Sequence, residues 1–135
     1  MWFIMLKRKI DKYLEEWKAS VDKKPLIVKG ARQVGKTASI RYFGEKYYKY
    51  IVEINFALQP KYKQIFADGY EVDSIIKNIT LLNPSLVVVP HETLLFFDEL
   101  QEYPDCATSL KSFKQDGRYD VICSGSLMGL YYQQI

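Results

Sequence analysis

Apolar side chains recur at helical spacing along the first 20 residues of the chain. They form one stripe of period 3.6, and Lys, Asp and Glu side chains occupy the opposite face. The stripe comprises Leu6, Ile10, Tyr13, Leu14 and Trp17. This pattern predicts an amphipathic helix over residues 4–20 whose stripe packs against a core. Similar spacing predicts further helices over residues 36–47, 71–82 and 105–115.

Short runs of apolar and β-branched residues lie between these helices and predict strands. The runs are residues 26–29, 50–56, 93–98 and 119–123. Residues 86–89 are also apolar, but Pro90 follows them directly and favours an extended loop. Strands that alternate with helices describe an α/β fold with three layers around a parallel sheet.

A glycine-rich loop follows the first predicted strand. Residues 30–37 read GARQVGKT and match G-x-x-x-x-G-K-[ST], the phosphate-binding Walker A loop. Glycines at both fixed positions free the backbone to curl so that its N–H groups point at phosphate oxygens. The predicted phosphate-binding residues are Gly30, Ala31, Arg32, Gln33, Val34, Gly35, Lys36 and Thr37. The alternative is a glycine-rich turn that binds nothing.

Two side chains of this loop have more specific predicted roles. Lys36 would reach the β- and γ-phosphates, and the Thr37 hydroxyl would bind Mg²⁺. The helix that begins near Lys36 would add the positive end of its dipole.

An acidic pair ends the third predicted strand. Four apolar residues precede Asp98 and Glu99, as in a buried parallel strand with a carboxylate at its C-terminal end. Ligands of open α/β sheets lie beyond that end, so Asp98 is predicted to face the crevice that holds Lys36 and Thr37. Asp98 would hold Mg²⁺ mostly through water, as in a Walker B motif, and Glu99 would accept a proton from an attacking water. The alternative is a strand that ends in a solvated acidic turn.

Polar residues follow the fourth predicted strand. Ser124 or Ser126 would lie near the γ-phosphate and sense it, or either could belong to a Ser-Gly turn that leads to the next helix. In the N-terminal helix, Tyr13 or Trp17 offers an alternative to core packing, namely a position near the nucleotide base.

Composition narrows the class of protein without deciding it. At 135 residues, 48% of them apolar, the chain has room for one globular domain. A net charge of +3 neither indicates nor excludes nucleic-acid binding. Cys106 and Cys123 lack metal-type spacing and favour a reducing cytoplasm, and the only histidine, His91, cannot form a metal site by itself. The apolar residues 1–6 are too few for a transmembrane helix and lack the features of a targeting segment.

In these motifs and their order, the chain resembles the AAA+-related prokaryotic P-loop ATPases that carry a C-terminal domain of unknown function. The matching stretches are residues 25–37 (PLIVKGARQVGKT), 93–104 (TLLFFDELQEYP) and 110–129 (LKSFKQDGRYDVICSGSLMG). The resemblance implies ATP and Mg²⁺ as ligands and a sheet of strand order 1-4-3-2. It also implies hydrolysis with Glu99 as base and Ser124 or Ser126 in the sensor position.

The resemblance also predicts what the chain leaves out. Members of that family continue past this point, so the chain is expected to be a truncated ATPase domain. Its expected parts are an N-terminal helix (residues 1–22), a P-loop core (residues 25–126) and the start of the remainder (residues 127–135). Arg32 lies inside the loop and Arg118 opens a strand, so neither is identified as an arginine finger. Because such a finger contributes about 10³–10⁵ in rate, hydrolysis by this chain alone is expected to be slow.

The fifth strand, which would flank the P-loop strand, is expected to be missing. The bare edge of residues 26–29 would then be prone to association. Either a second copy pairs with that edge or residues 127–135 cover it.

Two further functions remain alternatives to a cytoplasmic, Mg²⁺-dependent ATPase without a membrane segment. The first is a nucleotide-gated regulatory or DNA-associated module with little turnover, whose DNA or protein partner would bind the absent C-terminal region. The second is a small-molecule kinase, which rests on the loop alone. A glutamate directly after the metal-binding aspartate favours hydrolysis over the kinase reaction.

Overall fold

A computed structural model describes residues 2–30, 35–126 and 130–135 of the chain. Its helices are α1 (Trp2–Ala19), α2 (Lys36–Tyr47), α3 (Val72–Leu82) and α4 (Asp105–Asp116). Its strands are β1 (Leu26–Gly30), β2 (Tyr50–Asn55), β3 (Thr93–Asp98), β4 (Asp120–Ser126) and β5 (Leu130–Gln134). Two short 3₁₀ helices span Pro60–Phe66 and Leu100–Glu102. Residues 86–89 form no strand, as the following proline predicts.

The five strands form one sheet in the order β2-β3-β4-β1-β5. The three contacts among β2, β3, β4 and β1 are parallel. Read from β1, these four strands have the predicted order 1-4-3-2, and the predicted α/β fold is confirmed. The C-terminal ends of β1, β3 and β4 therefore meet at one edge of the sheet.

Both faces of the sheet are covered, which gives the three predicted layers. On one face, α1 and α2 pack on alternate strand residues, including Val28, Leu94 and Phe96. On the other face, α3 and α4 pack on the residues between them, including Leu95 and Phe97. All six residues of β3 are buried, which explains the near-continuous apolar run in that part of the sequence. None of the helices in the described part of the chain is long and apolar enough to cross a membrane.

A fifth strand covers the outer edge of β1, so the expectation that this strand is missing is wrong. β5 runs antiparallel to β1, from Leu130 opposite Gly30 to Gln134 opposite Leu26. Only three residues separate β4 from β5, too few for the crossover that a parallel strand would need. The Tyr132 ring stacks on Tyr13 of α1 with ring centroids 3.8 Å apart. Of the two expected ways to cover the edge, the chain uses its own C-terminal residues.

Candidate functional site

The junction of β1 and α2 presents the described part of the glycine-rich loop at the C-terminal edge of the sheet. Ala31, Arg32, Gln33 and Val34 lie outside the described residues. Gly35 has a φ of 77°, in the left-handed region that favours glycine, and it caps the N-terminus of α2. The Lys36 side chain, at the first position of α2, is only 3% exposed.

The carboxylate of Asp98 joins three elements at this edge. It lies at the end of β3 and is 5% exposed. Thr37 Oγ1 of α2 donates to Asp98 Oδ2 at 3.2 Å, and Ser124 Oγ of β4 donates to Asp98 Oδ1. The backbone N–H of Glu99 donates to Oδ1 at 2.8 Å. The structure therefore brings Thr37, Asp98 and Ser124 into direct contact.

The donor set around Asp98 fits a magnesium ion. Mg²⁺ takes oxygen ligands, and proteins usually supply one or two carboxylates while phosphates and water fill the remaining positions. The Thr37 hydroxyl and the Asp98 carboxylate are two such oxygens within 3.2 Å of each other. Both lie beside the N-terminus of α2, where phosphate groups are favoured.

Glu99 directly follows β3 in an uncommon backbone conformation. Its φ of 57° is left-handed, which costs a residue with a side chain about 1–2 kcal/mol. It precedes the 3₁₀ helix Leu100–Glu102, whose second residue, Gln101, donates from Nε2 to the Glu99 carboxylate. Gln101 Oε1 in turn accepts from the backbone N–H of Ser126 at 3.1 Å. Sequence reasoning missed Gln101, although the signal was present as a polar side chain two residues after Glu99.

The two predicted serines have different surroundings. Ser124 is fully buried and is bonded to Asp98. Ser126 lies opposite Gly30 in the ladder between β4 and β1. Its hydroxyl is buried and has no hydrogen-bond partner among the described residues. β4 continues through Ser126, so the alternative of a Ser-Gly turn before a helix is wrong.

A cleft borders the site on the α4 side. Its volume is about 340 Å³, and its lining residues are Lys29, Leu100, Gln101, Pro104, Gly125 and Ser126. Gln101, which donates to Glu99, is thus one of the residues that line this cleft.

Two residues considered from the sequence lie at the opposite edge of the sheet. Trp17 is 3% exposed and donates from Nε1 to the carbonyl of Lys24, before β1 begins. Its alternative position near a nucleotide base is therefore wrong, and the core-packing interpretation is confirmed. Arg118 precedes β4 and is paired with Asp73 and Asp116.

The family of the chain follows from its match to a known domain. A sequence model described as an AAA domain matches residues 22–135. The chain belongs to the AAA domain family. The resemblance to an AAA+-related P-loop ATPase core is thereby confirmed.

Among solved structures, PCH-2 of C. elegans is similar to this AAA domain, with 15% sequence identity and a TM-score of 0.45. That match covers 95% of this chain and 36% of the PCH-2 chain. No curated protein matches this chain significantly.

Proposed function

We propose that this AAA domain binds ATP together with Mg²⁺ and hydrolyses the nucleotide. The observation that carries the proposal is the Asp98 carboxylate, which accepts hydrogen bonds from both Thr37 Oγ1 and Ser124 Oγ. One buried acidic group at the end of β3 thus connects the glycine-rich loop to β4. This arrangement suits a bound triphosphate, because its phosphates would lie at the N-terminus of α2.

Each predicted residue has a role in this proposal. The backbone of residues 30–37 and the Lys36 side chain bind the phosphates, and Thr37 and Asp98 hold Mg²⁺. When bound, Mg²⁺ neutralises charge on the β- and γ-phosphate oxygens. Glu99 accepts the proton of the attacking water. Ser124, which is bonded to Asp98, or Ser126, which pairs with Gly30, senses the γ-phosphate.

A nucleotide-gated module with little turnover is the second candidate. It would use the same binding residues, but the hydrogen bond from Gln101 Nε2 would then withhold the Glu99 carboxylate from the attacking water. That contact occupies the group proposed as the base. The two candidates differ in rate, so measured turnover separates them.

The narrower parts of the proposal rest on the motif resemblance. They are the relation to prokaryotic ATPases with a further C-terminal domain, the division at residues 1–22, 25–126 and 127–135, and a DNA or protein partner outside this chain. A cytoplasmic location is proposed because Cys106 and Cys123 are both free and buried.

A titration with a fluorescent ATP analogue, with and without Mg²⁺, tests the binding step. Lys36→Ala should weaken binding by at least about a hundredfold, because a buried cation on the phosphates is lost. Lys111→Ala, which removes an exposed cation on α4, is the matched control and should bind as the parent does. Failure of the parent chain to bind the analogue saturably would overturn the proposed function.

Single-turnover hydrolysis tests the role of Glu99. Glu99→Gln should retain nucleotide binding and lower the rate by about 10²–10⁴, the usual contribution of a general base. Equal rates for Glu99→Gln and the parent would show that Glu99 is not the base. Competition by GTP against the analogue would establish the base preference.

A further inference from the structure

Gln101 connects the turn after β3 to the end of β4 through both ends of its side-chain amide. Nε2 donates to the Glu99 carboxylate, and Oε1 accepts from the Ser126 N–H at 3.1 Å. Because an amide has a distinct donor and acceptor end, this geometry orients it uniquely. Both partners belong to the candidate site.

The bridge links Glu99 to β4, which pairs with the strand that carries the glycine-rich loop. Ser126 pairs with Gly30 in the parallel ladder, and Gly30 is the first residue of the loop. The position of the Glu99 carboxylate is therefore tied, through Gln101 and Ser126, to the backbone at which the loop begins.

Gly125 provides the space that the bridge needs. A Cβ at this position would lie 3.0 Å from Gln101 Oε1 and 3.9 Å from Leu100 Cβ. The first of these distances is shorter than an ordinary van der Waals contact, so any side chain at position 125 would displace the Gln101 amide.

We propose that Gln101 is a positioning residue for the Glu99 carboxylate and couples it to the start of the phosphate-binding loop. This inference rests on the proposed function, because it assigns Glu99 the role of base. Gln101 touches Glu99 and Ser126, and it acts on the reaction only through Glu99.

Substitutions at Gln101 can separate its two hydrogen bonds. Gln101→Glu keeps an acceptor for the Ser126 N–H but places a like charge beside Glu99. Gln101→Lys keeps a donor to Glu99 but loses the acceptor, and Gln101→Leu loses both. We expect Gln101→Glu and Gln101→Leu to lower kcat by about tenfold to a hundredfold, because small displacements of a catalytic group have effects of that size. Gln101→Lys should retain more activity than either.

The affinity for nucleotide separates positioning from general damage. The Kd for the fluorescent ATP analogue should stay within about threefold of the parent in every Gln101 variant, since the phosphates bind elsewhere. Glu102→Gln, at the exposed neighbouring position of the same turn, is the matched control and should leave kcat and Kd unchanged. An unchanged kcat in Gln101→Leu, with Glu99-dependent turnover in the parent, would overturn this inference alone.

A double variant tests whether Gln101 acts through Glu99. Added to Glu99→Gln, the Gln101→Leu substitution should lower kcat no further, because the group that it positions is already absent. Losses that multiply in the double variant would instead indicate an independent structural effect and would count against the inference.

A readout without turnover tests the bridge itself. The ¹⁵N–¹H signals of the Gln101 side-chain amide, identified by their loss in Gln101→Leu, should shift in Glu99→Ala and in Gly125→Ala. Signals that do not move in Glu99→Ala would overturn the bridge. If the parent showed no Glu99-dependent hydrolysis, the proposed function would be wrong, and these signals would still decide whether Gln101 binds Glu99.

Discussion

The Asp98 carboxylate shows how much of the candidate site depends on one buried charge. It is 5% exposed, and removing an ionised carboxylate from water is costly unless hydrogen bonds replace the lost solvent. Thr37 Oγ1, Ser124 Oγ and the Glu99 N–H supply those hydrogen bonds. A metal ion that bound there would add to contacts that the fold already provides.

Asp98→Asn should separate metal binding from folding. The amide keeps an oxygen for Ser124 and the Glu99 N–H, so the free energy of unfolding should change by no more than about 1.5 kcal/mol, the value of one hydrogen bond. The Mg²⁺ concentration needed for half-maximal nucleotide binding should rise at least about tenfold, because the ionic ligand is lost. Titrating Mg²⁺ at fixed ATP analogue measures this, with Asp22→Asn in an exposed turn as the control. An unchanged Mg²⁺ requirement would mean that Asp98 does not hold the metal.

The sequence predicted some of these residues and missed others for physical reasons. Lys36, Thr37 and Asp98 belong to motifs whose spacing follows from phosphate and metal chemistry, so the pattern sufficed to bring them together. The contact between Gln101 and Ser126 joins residues 25 positions apart, and Glu99, which Gln101 also contacts, has a left-handed backbone. No local pattern encodes either feature.

At the level of elements, the close approach of α2 to the sheet depends on a glycine. A Cβ at Gly44 would lie 2.5 Å from Ile51 Cδ1, 2.9 Å from Ile51 Cγ1 and 3.1 Å from Leu94 Cδ2. Because α2 begins with Lys36, the packing of α2 on the sheet also positions the end of the glycine-rich loop. Gly44 lies within α2 rather than ending it, because the helix continues to Tyr47.

Gly44→Ala should destabilise the domain. Overpacking costs about 1–3 kcal/mol, which exceeds the gain of about 1 kcal/mol from replacing a helical glycine by alanine. Urea unfolding measures the change, and Glu45→Ala on the exposed side of α2 is the control. Ile51→Ala removes both close atoms, so combining it with Gly44→Ala should cost less than the sum of the two. A Gly44→Ala variant as stable as the parent would show that α2 moves away without penalty.

Arg118 ties α3 to α4 at the edge of the sheet opposite the candidate site. Its guanidinium lies 2.6 Å from Asp73 Oδ1 and 2.7 Å from Asp116 Oδ1. The hydrogen bond from Arg118 holds the pKa of Asp116 below its ordinary value of 3.8. The effect on stability should be small, because the Arg118 side chain is 37% exposed.

The sign of the resulting pH dependence follows from the lowered pKa. Ionised Asp116 contributes stability above pH 3.8, and that contribution is lost as the pH falls through the lower pKa of the folded state. Asp116→Asn should therefore lose stability less steeply than the parent when urea unfolding is measured at pH 5, 4 and 3. Parallel curves for the two proteins would show that this pair does not contribute to acid unfolding.

At the level of the whole molecule, the order of the parallel strands was predictable, but the strand that covers the outer edge of β1 was not. Strands buried on both faces leave near-continuous apolar runs, and their order followed from the family resemblance. β5 carries a weaker signal, because its residues are mostly polar and aromatic and its partners on β1 lie 100 to 108 positions away in sequence. The sequence left two ways to cover the β1 edge, pairing with a second copy or cover by residues 127–135, and the structure shows the second.

Ending the chain after Ser126 should test how far the domain depends on that cover. The outer edge of β1 would lose its partner, and Tyr132 would no longer stack on Tyr13. We expect a loss of at least about 2 kcal/mol in the free energy of unfolding, as for an aromatic side chain removed from its packing. An unpaired strand edge also recruits other chains, so light scattering should show association that grows with concentration.

The shortened chain should also bind nucleotide less well, because Gly30, where the loop begins, pairs with Leu130 of β5. Gln133→Ala keeps the strand and changes only an exposed side chain, so it should associate no more than the parent and retain affinity. If residues 1–126 associated no more than the parent and bound the ATP analogue as tightly, β5 would be dispensable for the site. Association of residues 1–126 without a loss of affinity would instead show that β5 protects the β1 edge against association and does not support the loop.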